Sequence, residues 1–134
     1  MAEVSLIRLY VLRAMYLLLA VGIGAMFWPH VVYHTSDYAA KNGAQMCLLA
    51  GVGALSVLGL RYPVKMLPVL LYEFFWKATW LIAMALPLWT AHRTYPGMSG
   101  DVFAIGAGVV LCAIVIPWPW VFANYVLKPG DRWR

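Results

Sequence analysis

The chain has 134 residues, 64% of them hydrophobic and only 11% charged, with a net charge of +5. Soluble domains carry about 25% charged residues, and a fold of this size has too little interior to hide so much apolar surface. A soluble globular domain is therefore excluded and lipid is the expected solvent. The basic residues sit at the ends of apolar runs, with no basic patch interleaved with aromatics, which argues against a nucleic-acid partner. The expected fold is all-α: a polytopic membrane protein, a four-transmembrane-helix bundle in a single domain, residues 1–134.

The first predicted helix covers residues 6–28. Arg8 and Arg13 precede its most apolar part, as in a signal peptide, but the run ends in Phe27-Trp28-Pro29 rather than in small residues suited to cleavage. A retained first helix is expected. Pro29 is placed to start a short interfacial helix, since proline at a first helical position loses no needed hydrogen bond. His30, His34 and Asp37 would then share one face. They are weak metal or haem candidates, because a zinc site needs three or four ligands and the only other histidine is His92. Interfacial packing without metal is the expectation.

The second helix, 44–60, is short and rich in small residues. Cys47 and Gly51, and Ala50 and Ala54, follow a spacing of four that lets helix backbones approach in lipid. A basic turn, Arg61-Tyr62-Pro63-Val64-Lys65, follows. The third helix, 66–89, has Pro68 in its first turn and Pro87 in its last. Between them lie Glu73 and Lys77, four residues apart in an apolar run. A charge at bilayer depth costs roughly 2.5–3.5 kcal/mol on insertion scales, so these side chains need partners. Pro96-Gly97 and Ser99-Gly100 read as turns.

The fourth helix, 102–118, carries a small-residue stripe of Ala104, Gly108 and Cys112. Pro117 and Pro119 break it, and a kinked continuation is expected to about residue 127. Cys47 and Cys112 are expected as free thiols, since a disulfide needs Cα atoms within about 7 Å.

Lys and Arg set the orientation. Arg8, Arg13, Arg61, Lys65, Lys128, Arg132 and Arg134 would share one side, against Lys41 and Arg93 on the other. This predicts both termini in the cytoplasm. In that frame Arg13 lies roughly 22 Å below Trp28, and Glu73 roughly 24 Å below Trp89, at the helical rise per residue. Equal depth predicts a polar cluster of Arg13, Tyr16, Glu73 and Lys77. Trp76 and Trp80, on the same face as Glu73, are candidates for stacking a flat ligand such as a quinone. Arg132 and Arg134 are candidates for anionic lipid headgroups.

The segments Arg61-Tyr62-Pro63-Val64-Lys65-Met66-Leu67-Pro68, Tyr72-Glu73-Phe74-Phe75-Trp76-Lys77 and Tyr125-Val126-Leu127-Lys128-Pro129-Gly130-Asp131-Arg132-Trp133-Arg134 resemble an uncharacterised family of small bacterial four-helix inner-membrane proteins. The layout is also loosely similar to that of DoxX-like proteins. This resemblance implies a multi-pass protein of the bacterial inner (cytoplasmic) membrane and brings no activity or catalytic residue with it.

The leading functional expectation is a non-enzymatic accessory or interaction subunit without a cofactor, packing its small-residue faces within the bundle, against itself as a homo-oligomer, or against a membrane-protein partner. One alternative is a small proton- or solute-coupled transporter using the Glu/Lys/Arg cluster. Carriers commonly place such a site between two repeats, and no repeat is visible. A further alternative is a quinone- or haem-linked redox protein using Trp76, Trp80 and His30 or His34.

Overall fold

The computed structural model describes residues 4–33 and 43–132. Most of those residues are helical, and there is no strand among them. Four helices are long and apolar enough to cross a membrane: α1 Leu6–Tyr33, α2 Gly43–Arg61, α3 Leu67–Thr90 and α4 Met98–Val115. A fifth, α5, comprises Trp118–Phe122 and a π-helical turn Ala123–Leu127. The chain divides into two compact units, Met1–Val69 and Leu70–Arg134.

In the first unit α1 and α2 pack along their lengths. Ser5 starts α1 by accepting the Arg8 N–H on its hydroxyl, satisfying one of the donors a helix start leaves open. The helix passes through a wide π turn at Leu19–Ile23 and continues through Pro29 to Tyr33. The expected end at Trp28 and new start at Pro29 are therefore corrected. Proline removes one backbone donor, a loss that membrane helices tolerate, and Trp28 just before it is anchored by its indole N–H to the Ala50 carbonyl at 2.9 Å. His30 consequently belongs to α1. His34 and Asp37 lie outside the described residues.

The buried face of α2 is a stripe of small residues at every third position: Ala50, Gly53, Ser56 and Gly59. A side chain on Gly53 would place its Cβ 3.0 Å from both the Cα and the N of Gly24, so the two helices touch backbone to backbone. The spacings of four expected from the sequence are not the ones used, since Cys47 and Ala54 are exposed and Gly51 faces open space. The contact follows the three-residue ridge of the helix instead. Gly53→Ala is expected to cost about 1–3 kcal/mol, the usual penalty of overpacking, because backbone cannot move aside as a side-chain tip can. Thermal unfolding in detergent, with Gly51→Ala as an open-space control, measures the difference.

In the second unit, α3 contains a π turn at Leu81–Ala85. Pro87 supplies the cause: it has no N–H for the carbonyl of Ala83, and its ring crowds that carbonyl. α4 packs against this widened segment. It begins at Met98, four residues before the expected Val102, because the turn is complete at Pro96-Gly97, with Gly97 at a left-handed φ of 86°. Ser99 and Gly100 are inside the helix, and Asp101 occupies its first turn, where the helix dipole favours an acid. Of the expected stripe, Gly108 and Cys112 are buried but Ala104 is exposed. The helix ends where Ile116, preceding Pro117, turns extended. α5 then supplies the kinked continuation, held by an edge-to-face contact of Trp118 with Phe74 at 5.2 Å.

Candidate functional site

Glu73 and Lys77 project from one face of α3, one turn apart, with the acid toward the helix N-terminus, the favourable order for such a pair. Glu73 is fully buried and Lys77 is 8% exposed. The Lys77 ammonium meets Glu73 Oε2 at 2.6 Å. The other carboxylate oxygen, Oε1, accepts the indole N–H of Trp76 at 3.0 Å. Oε1 is therefore hydrogen-bonded, while the buried Oε2 accepts no hydrogen bond and is held by the ion pair alone; the two partners lie three and four positions further along the same helix. The Lys77 ammonium also lies 5.6 Å from the centre of the Trp76 ring, within cation–π range. One tryptophan serves both ions: its edge donates to the acid and its face attracts the base.

The pair needs room on α4, and Gly108 provides it. A Cβ at that position would stand 2.6 Å from Lys77 Nζ and 3.0 Å from its Cδ. The lysine stem therefore lies across bare backbone. Cys112, one turn further along α4, is fully buried. Trp80, a turn beyond Trp76, is half-buried.

Arg13 and Tyr16 are engaged within the first unit. Arg13 Nε donates to the Leu60 carbonyl at 3.0 Å, and its guanidinium lies over the Tyr10 ring at 5.7 Å. The Tyr16 hydroxyl, fully buried, donates to the Pro63 carbonyl at 2.8 Å. The Leu60 carbonyl is one that the last turn of α2 leaves without a helical donor, and Pro63 lies in the turn that follows. A positive charge there is also favoured by the helix dipole. The residues grouped by depth in the sequence thus fall into two units, Arg13 and Tyr16 closing α2 and Glu73, Trp76 and Lys77 forming an ion-pair site on α3.

No family model, curated protein or solved structure matches this chain. The chemistry of the site is accordingly read from its own residues.

Among the described residues, no three His, Cys, Asp or Glu side chains come together as a metal site. His30 is half-buried in α1. Cys47 and Cys112 are free thiols. Outside the four long helices, the Tyr95 hydroxyl donates to Asp101 Oδ2 at 2.8 Å. This bond and the adjacent negative charge hold its phenol above the ordinary value, so Tyr95 stays a proton donor. Sequence reasoning named Gly108 only as a packing residue and missed it as the seat of Lys77. It also missed Trp76 as a hydrogen-bond donor, although an indole three residues after a buried acid is a signal for one.

Proposed function

We propose that this protein is a multi-pass protein of the bacterial inner membrane, with both termini in the cytoplasm, that works as a non-enzymatic interaction subunit. The membrane reading is supported by how little of each long helix is covered by protein. Only 22%, 28%, 28% and 17% of the most apolar window is buried in α1 to α4, so the remaining apolar side chains need a nonpolar medium. An even number of crossings and the excess of Lys and Arg beside the termini and the Arg61 turn support the orientation.

The observation that carries the subunit reading is the closure of the ion pair. Glu73 has no exposed surface, its Oε1 is hydrogen-bonded to Trp76, and the charge on its Oε2, which accepts no hydrogen bond, is matched by Lys77 on its own helix. A carrier site needs an ionisable group that a solute or water can reach from alternate sides. A self-neutralised pair over a glycine instead fixes the rotation of α3 against α4, the register role best attested for buried ions. The outward apolar faces of the helices then serve contacts with lipid and with a second membrane protein or a second copy of this chain. Arg132, exposed after α5, suits an anionic headgroup.

Proton and solute flux in proteoliposomes tests this reading. The intact protein is expected to give no flux above protein-free vesicles, and gentle detergent extraction is expected to yield a stoichiometric self-complex or hetero-complex. Flux that is abolished by Glu73→Gln, in a variant that keeps its helical circular dichroism, would establish the carrier instead.

A further inference from the structure

Between the end of α3 and the start of α4 the second unit contains a half-open cavity of about 760 Å³, within the range of roughly 300–1,000 Å³ typical of small-molecule sites; Trp89 and Phe103 at its rim are largely exposed. It is separate from the ion pair, beginning one turn beyond Lys77. Its wall is apolar, from Leu81, Ala85 and Val102, and Trp89 and Phe103 add two aromatic faces. Thr94, Tyr95 and Ser99, each bearing a hydroxyl, belong to the same lining, the Tyr95 hydroxyl donating to Asp101. No lining residue carries a charge.

We propose that this cavity binds one uncharged membrane amphiphile, with its apolar body along α3 and α4 and its hydroxyl or carbonyl head at Thr94, Tyr95 and Ser99. Three observations carry the assignment. First, the wall from Leu81 to Trp89 extends about 12 Å along the helix, enough for a hydrocarbon or isoprenoid segment and too apolar for a water-soluble ligand. Second, Thr94 and Tyr95 lie in the connection between the two helices and Ser99 in the first turn of α4, with Trp89 at the end of α3, so polar head and apolar tail have separate places. Tyr and Trp suit such positions because one end of each is apolar and the other is wet. Third, the site selects by charge. No lining residue offers a cation to an acidic head, and the Asp101 carboxylate bonded to the lining Tyr95 disfavours one, while Arg93, next to Thr94 in the chain, is exposed and is not part of the lining.

The cavity owes its width to the backbone. The π turn Leu81–Ala85 supplies two of its lining residues, and such turns are frequent at functional sites. Gly97, at its left-handed φ, redirects the chain so that α4 starts beside it. Two sources share the required chemistry: a neutral glycerolipid and an isoprenoid quinone.

Photolabelling of the full chain in phosphatidylcholine nanodiscs with a diazirine-bearing monoacylglycerol tests the proposal. Label is expected on peptides spanning residues 81–103. Excess monoolein or excess decylubiquinone is expected to lower it about tenfold, and the better competitor identifies the source. Oleate at pH 8 is expected to compete weakly. Val102→Trp and, as an independent filling, Leu86→Trp should each reduce labelling; both positions are partly exposed and tolerate bulk without refolding the core. Equal competition by oleate, label spread evenly over the four long helices, or full labelling of both filled variants with unchanged helical circular dichroism would overturn the proposal.

Discussion

Lys77→Met is expected to destabilise the protein by about 3–5 kcal/mol, the usual result of stripping one partner from a buried ion pair. Methionine keeps the length and apolar stem of lysine, so it still lies over Gly108, and the loss isolates the charge. Glu73 would remain fully buried with only the Trp76 N–H on Oε1. A stranded carboxylate either stays ionised at high cost or takes up a proton, and both outcomes weaken the fold. Glu73→Gln should also destabilise, because it leaves the ammonium unmatched. The double variant Glu73→Gln/Lys77→Met should recover most of the loss: the glutamine oxygen still accepts from Trp76, and no charge is left buried. Denaturation of all four proteins in one detergent gives the coupling. Additive single effects would show that the 2.6 Å contact contributes nothing specific.

Gly59→Ala is the second substitution with a large expected effect. A Cβ at Gly59 would overlap the ring of Tyr16. That ring cannot swing away cheaply, since it is fully buried and its hydroxyl holds the Pro63 carbonyl. Displacing it adds the penalty of overpacking, about 1–3 kcal/mol, to that of a carbonyl left unsatisfied, about 1–3 kcal/mol. Tyr16→Ala alone should be costly too. Combined with Gly59→Ala, however, it should cost less than the sum, because the new methyl group enters space that the ring has left. Strict additivity in a thermal double-mutant cycle would contradict this account.

The four long helices were legible in the sequence because their signal is length and apolarity, both local. The i,i+4 pairing of Glu73 with Lys77 was legible for the same reason. Boundaries were less so: Pro29 reads as a start but lies inside α1, and Ser99 and Gly100 read as a turn but form the first turn of α4. In each case a residue tolerated at a helix end resembles one that ends a helix. The seat of Lys77 on Gly108 was not legible, since it depends on how two helices meet. Depth counting grouped Arg13 and Tyr16 with the ion pair. Their observed bonds go to backbone carbonyls, whose demand for donors appears in no side chain. One clue was present: Pro63, four residues after Gly59, cannot continue the ladder of α2, so that helix must end with open carbonyls beside the basic turn. There Arg61 and Lys65 both lie over the Tyr62 ring.

The π turn in α3 also changes how the helix can vary. A wide turn holds one residue more than an ordinary helix would, and a residue advances the helical phase by roughly 100°. The ionic half of α3, with Glu73 and Lys77, and the cavity half, with Leu86 and Trp89, are thus set at independent angles by that extra residue. Met84 lies in the wide turn and is exposed, so its deletion would remove little packing while rotating everything beyond it. The length of this segment is therefore a determinant in its own right: substitutions can be absorbed there one at a time, whereas a single-codon deletion would carry Leu86 and Trp89 away from the cavity and leave the ion pair intact.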